Sequence, residues 1–197
     1  MSASETGPDL RLATRAFRSP TVAMSLAQLA SGFVPLLAIY VAMYAGLLLG
    51  VNYWALAGLS LLAGAFIVRI FIFQHDCGHG SFFRSSRANR WVGMICSLVT
   101  LTPYENWRRQ HAGHHMHWND LDNRNSGSDI YSTCLTLAEY RALPARSKLF
   151  YRFVWNPFVA LLLLPPIVFL LLYRVPFDTP SAWKRERRSV HVTNAGL

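Results

Sequence analysis

Ser19 to Val68 reads SPTVAMSLAQLASGFVPLLAIYVAMYAGLLLGVNYWALAGLSLLAGAFIV, 50 residues without one Asp, Glu, Lys or Arg. A helix crosses the hydrocarbon core of a bilayer with about 20 apolar residues. The run therefore holds two crossings and a turn, and a soluble core has no use for an uncharged stretch of this length. Gly50-Val51-Asn52-Tyr53 is the natural turn, because Gly and Asn leave a helix at little cost. This places the first span near Leu26–Gly50 and the second near Tyr53–Gln74. The expected fold class is an all-α integral membrane protein: a transmembrane helical hairpin with a cytoplasmic helical cap.

Working outward, charge sits outside the apolar runs. The chain of 197 residues has 19 Lys and Arg against 10 Asp and Glu, a net charge of +9, with a mean hydropathy of +0.23. A nucleic-acid binder carries its basic charge as a stripe on a soluble domain, so no nucleic-acid partner is expected. Basic residues are instead retained on the cytoplasmic side of membrane spans. Residues 1–20, with Arg11, Arg15 and Arg18, read as a cytoplasmic N-terminal tail, and 21–197 as one membrane domain. The apolar stretch after this tail is too long for a signal-peptide core and reads as a retained anchor. Ten basic residues follow the second span: Arg84, Arg87, Arg90, Arg108, Arg109, Arg124, Arg141, Arg146, Lys148 and Arg152. Two crossings return the chain to its starting side, so this segment is expected in the cytoplasm. Within it, Trp91–Leu101 is apolar but too short to span and suits an interfacial helix.

A third apolar run, Phe153–Tyr173, lies between Arg152 and Arg174 and is interrupted by Pro165-Pro166. Basic residues follow it as well (Arg174, Lys184, Arg185, Arg187, Arg188). A single crossing would put them outside, so the run either dips and returns at the prolines or breaks the charge rule. Cys77, Cys96 and Cys134 form no C-x-x-C pattern, and an odd count points to reduced thiols.

Five of the seven histidines form two tight groups. His75-Asp76-Cys77-Gly78-His79 stands at the cytoplasmic end of the second span, and His111-Ala112-Gly113-His114-His115 follows 36 residues later (111 − 75). At i and i+4 on a helix, two side chains lie about 40° apart and can serve one metal or two adjacent metals. His114 and His115 straddle the face of His111, a fan that suits two ions better than one. Imidazole ligands suit Zn, Cu, Fe and Ni. The zinc-protease pattern H-E-x-x-H is missing, since Asp stands at 76 and no Glu lies inside the spacing. Alone, H-x-x-x-H is a weak signal and equally describes a surface or core pair; the two groups together are far more specific. His117 and His191 read more simply as solvated or supporting residues.

The residues His75-Asp76-Cys77-Gly78-His79-Gly80-Ser81-Phe82-Phe83 resemble the first histidine box of membrane fatty acid desaturases. Thr102-Pro103-Tyr104, Trp107-Arg108 and His111–His115 are similar to the approach to their second box and the box itself. Asn119-Asp120-Leu121-Asp122, Gly127-Ser128-Asp129-Ile130, Lys184–His191 and Thr193-Asn194 resemble the acyl-lipid, delta-12 type branch. The likeness runs from the second span to the C-terminus. It implies a fatty acyl desaturase of lipid metabolism: an oxidoreductase with two non-haem iron ions and molecular oxygen as co-substrate. The membrane lipid or acyl chain would be the substrate, and a ferredoxin or cytochrome b5-like protein the electron donor. Carried over residue by residue, iron ligation falls to His75, His79, His111, His114 and His115. Asp76, Trp107 and Arg108 would orient the rings.

The family has a third H-x-x-H-H box, and after His115 this sequence has only His117 and His191. The expectation is therefore a fragment, with turnover by these 197 residues alone not expected. Other readings are a histidine-box hydroxylase or ketolase, a non-catalytic membrane remnant, and a zinc hydrolase, the last lacking a Glu base.

Overall fold

The computed structural model describes residues 19–117, 120–122, 134–177 and 179–197, which are helical with no strand among them. Most of the 1–20 tail and the Gly127–Ile130 segment lie outside the described residues. The chain divides into two compact units between Val99 and Thr100.

In the first unit, α1 (Val22–Leu48) and α2 (Tyr53–His79) pack on each other, and both are long and apolar enough to cross a membrane. Each helix begins where a side chain can satisfy a free amide. Thr21 accepts from the Met24 amide at 3.3 Å, and Asn52 from the Trp54 amide at 2.8 Å. The turn lies where the sequence puts it, with Gly50 at φ +71°, a conformation that costs glycine little. The first span begins four residues earlier than Leu26 because Thr21 supplies the cap. The second runs five residues past Gln74, so that the histidines ride on its last turn. A Cβ at Gly32 would stand 2.6 Å from a Phe73 ring carbon, so glycine is what lets the two spans approach there. Leu37, Leu61 and Trp54 stay exposed, as expected of lipid-facing side chains.

α3 (Ser86–Thr100) is the short apolar element expected at Trp91–Leu101, begun one turn earlier. It buries a stripe of small and polar residues, Asn89, Gly93, Cys96, Ser97 and Thr100, while Trp91, Ile95 and Leu98 face out. Burial pushes the Cys96 thiol up to about 12, so it stays protonated. None of the three cysteines is in a disulfide.

The second unit begins with α4 (Tyr104–His117), followed by α5 (Leu137–Ala142) and α6 (Ala145–Val154). A capping box starts α5: the Glu139 amide donates to Thr136 Oγ1, and the Thr136 amide to the Glu139 carboxylate at 2.7 Å. Beyond α6 the apolar run forms a π-helical turn (Val159–Leu163), α7 (Leu164–Leu170) and a 3-10 turn (Leu172–Arg174). Pro165 and Pro166 do not end the helix. They occupy the first turn of α7, where a missing N–H leaves nothing unsatisfied. The sharp bend, 59°, instead falls between Val154 and Val159, where the Asn156 side chain accepts from the Phe158 amide. Taken as one bent element, Ala145–Arg174 also meets the length and hydropathy of a span. α8 (Lys184–Gly196) completes the unit and packs on α4.

Candidate metal centre

The first box is built by the C-terminal turn of α2. His75 and His79 fall one turn apart, and their Nε2 atoms approach to 3.2 Å. Asp76 lies beside them, its Oδ1 3.2 Å from His75 Nδ1. A carboxylate at that distance favours the proton on Nδ1, which would present His75 Nε2 to a metal. Gly80, at φ +73°, ends the helix, and the Ser81 amide donates back to the Asp76 carbonyl at 3.0 Å. The loop after the box is held from two sides. Ser25 Oγ donates to the Phe82 carbonyl at 2.6 Å. Asn89, 3% exposed, clips Phe83 by accepting from its amide at 2.8 Å and donating to its carbonyl at 2.7 Å. These buried polar groups are thus satisfied, and the loop has little freedom.

The second box rides on α4. The first turn of that helix is buried (Tyr104, Glu105, Asn106, Trp107), while the histidines occupy its later, more open turns. His111 and His115 bring their Nε2 atoms to 3.0 Å. The Trp107 indole stacks on His111 with centroids 4.7 Å apart and planes 14° from parallel, fixing that ring. His114 stands beside this pair, its ring parallel to His111 at 5.9 Å. The fan expected from the spacing is present, with His111 and His115 as its convergent members. Arg108 is exposed, His117 half-buried and His191 exposed on α8.

α8 anchors the buried turn of α4. Arg185 donates to Glu105 at 2.6 Å, and the Glu105 amide donates to Ser189 Oγ at 3.1 Å. One turn on, Arg109 pairs with Glu186 at 2.9 Å and lies over the Trp183 ring at 3.8 Å. Thr179 Oγ1 donates to Asn106 Oδ1 at 2.9 Å in a buried position. Burial acts to raise the Glu186 carboxyl, but the Arg109 hydrogen bond and the nearby Arg109 and Arg185 charges hold it below the ordinary glutamate value. Arg174 secures both ends of the unit, donating to the Leu101 carbonyl and to Asn194 Oδ1. Sequence reasoning did not single out these supporting residues. The available signal was Glu105 and Arg109 at i and i+4, with the complementary Arg185-Glu186 pair far along the chain.

Each pair fits a metal ion. Two imidazole nitrogens bound at a right angle to one ion, each at about 2.1 Å, lie about 3.0 Å apart. That is the spacing of His75 with His79 in the first unit, and of His111 with His115 in the second. Within either pair the same distance also suits an N–H···N bond between neutral rings. A chelate needs both Nε2 atoms bare, whereas the N–H···N bond leaves a hydrogen on one of them.

Comparison with known proteins covers both boxes. The family model described as fatty acid desaturase matches residues 52–195, which include both boxes. A fatty acid desaturase of Bacillus subtilis is 38% identical over 182 residues, covering 92% of this chain and 50% of that protein. An sn-1 oleoyl-lipid 12-desaturase of Synechocystis sp. is 36% identical over 105 residues, 53% of this chain and 27% of its own length. From the same organism, an sn-1 acyl-lipid omega-3 desaturase (ferredoxin) is 39% identical over 62 residues, 32% of this chain and 17% of its own length. The chain spans half or less of the length of these curated relatives. No solved structure matches it. Apolar helices of membrane length carry a histidine pair on the last turn of one span, a second pair follows on a braced helix, and the matched stretch contains both: the chain belongs to the fatty acid desaturase family.

Proposed function

We propose that this protein serves oxygen-dependent desaturation of fatty acyl chains in a membrane, with its two units acting as parts of one domain. The observation that carries the reading is the pair of matched imidazole chelates, one in each box, inside the stretch that matches the family. His75, His79, His111, His114 and His115 would hold two non-haem iron ions. When bound, such a centre supplies the oxidising chemistry by which molecular oxygen turns two adjacent methylenes into a double bond. Asp76 favours the proton on His75 Nδ1, and Trp107 fixes the plane of His111, so both rings are presented ready to bind.

An apolar acyl chain is reached best where a membrane helix ends, which is where the first box stands. The basic segment after α2 favours the cytoplasmic side for both boxes. A ferredoxin or a cytochrome b5-like protein would deliver electrons there, and the ferredoxin named for the Synechocystis omega-3 relative supports that choice. The 12-desaturase relative, named for an oleoyl-lipid, supports a lipid-borne acyl substrate.

The test is made in the natural host. His75→Ala and His111→Ala are each expected to remove one class of double bond from the membrane lipids, read by gas chromatography of fatty acid methyl esters. They should also lower the iron bound by the purified protein. Unchanged lipids in both variants would overturn the proposal. Loss of a hydroxyl or keto group instead would make the protein a hydroxylase or ketolase.

A further inference from the structure

We infer that α5 and α6 form a binding site for the phosphate of an anionic membrane lipid, away from both histidine boxes in sequence. Tyr140, Tyr151, Arg152 and Trp155 line an open cleft of about 420 Å³. Its walls are aromatic: Tyr140 and Tyr151 have centroids 5.6 Å apart, and Tyr151 and Trp155 6.0 Å. Such walls could serve a quaternary ammonium group as well as an anion. Arg152 decides between them. Its guanidinium lies 5.8 Å from the Tyr140 centroid, at the hydroxyl end of the ring, and its fixed positive charge there repels a second cation and attracts an anion. Its Nε donates to Tyr140 Oη at 2.6 Å, which aligns the fork and leaves both Nη groups to a ligand. No carboxylate pairs with Arg152 among the described residues. A planar fork of N–H donors beside a hydroxyl and an indole is phosphate chemistry.

The helix that carries the cleft points to a bilayer as the source of that phosphate. On α6, Lys148, Tyr151 and Arg152 share one side, and Leu149, Phe150 and Phe153 lie together on another, all three well exposed. Lys148 Nζ donates to the Arg141 carbonyl at 2.7 Å, keeping a second positive charge on the cleft side. Lys148 and Arg152 thus oppose Leu149, Phe150 and Phe153, with Arg146 in the first turn on the apolar side, and a helix of long basic and large apolar side chains in this arrangement lies in a membrane interface. The apolar segment Val159–Leu170 follows directly, and Trp and Tyr are side chains of that boundary. A soluble phosphate ester would use the fork but not the adjoining apolar face.

The test uses the full chain purified in detergent and relipidated with an equal mixture of phosphatidylglycerol and phosphatidylcholine. Retained lipid is identified by native mass spectrometry. Phosphatidylglycerol should be kept in preference, and Arg152→Gln should reduce its retention by about fivefold to tenfold, as loss of one lipid-bound Arg implies. Arg146→Gln makes the same charge change on the same helix outside the cleft and should leave retention within about twofold. Tyr140→Phe removes only the hydroxyl that aligns the fork. It should weaken retention with helix content unchanged, a second reading if Arg152→Gln does not fold. Equal losses in Arg152→Gln and Arg146→Gln would overturn the site in favour of diffuse charge. Full retention in Arg152→Gln, or displacement of the lipid by millimolar glycerol phosphate, would overturn it as well. None of these readings depends on iron or on desaturation.

Discussion

Arg109 lies face-on to the Trp183 ring, 3.8 Å from its centroid, while its guanidinium also donates to Glu186 at 2.9 Å. The cation is thereby held two residues before His111, and the plane of the indole limits how α4 can turn on α8. Trp183→Leu removes the stacking face but keeps an apolar side chain. A loss of about 0.5–2 kcal/mol in stability is expected, read as a lower thermal midpoint in detergent, with Arg109→Lys giving a smaller loss.

Glu105 is nearly buried and takes the Arg185 guanidinium at 2.6 Å. Glu105→Gln keeps the shape but leaves Arg185 without its charged partner, costing about 1–3 kcal/mol. Amide exchange along α4 should accelerate while exchange in α1 and α2 does not change.

Acid should loosen the Arg109–Glu186 pair in a defined window. Glu186 has its folded value below the ordinary glutamate value, so its contribution is fully present above the ordinary value. It is lost as the pH falls through the lowered one. Near-ultraviolet circular dichroism should show this acid-side change, and Glu186→Gln should remove it. A transition of unchanged size in the variant would assign it to another carboxylate.

Asp76→Asn withdraws the carboxylate that favours the proton on His75 Nδ1. Iron or cobalt affinity of the purified protein should fall by roughly 10–100-fold. Helix content should hold, because Asp76 anchors the following loop through its backbone carbonyl.

Gly32→Ile should part the two spans, since even a Cβ there comes 2.6 Å from Phe73. Overpacking of this kind costs about 1–3 kcal/mol. Gly58→Ala, where a Cβ meets nothing within 4 Å, is the matched control and should be neutral or slightly stabilising.

Much of the candidate site could be read from local pattern. The spacing of His75 with His79, and of His111 with His114 and His115, already decides which rings share a helical turn. The uncharged run from Ser19 to Val68 likewise dictates a hairpin, because few other structures satisfy so much backbone in an apolar medium. Helix ends were less legible. Thr21 and the αL Gly80 extend the spans beyond the hydropathy pattern, since caps depend on single side chains and not on average composition. Pro165-Pro166 misled in a similar way: a proline pair breaks a helix interior but begins a helix well, and hydropathy does not distinguish the two.

The sequence by itself determined the apolar helical hairpin, the helical placement of both boxes and the family, since each rests on periodicity, run length or short motifs. Only the tertiary structure decided how the boxes are held: Ser25 on the Phe82 carbonyl, Asn89 on Phe83, Arg185 on Glu105, and Arg109 between Trp183 and Glu186. The Ser25 contact joins residues 57 apart and the Arg185 contact residues 80 apart. Such pairings follow from how helices pack, and no local periodicity carries that information.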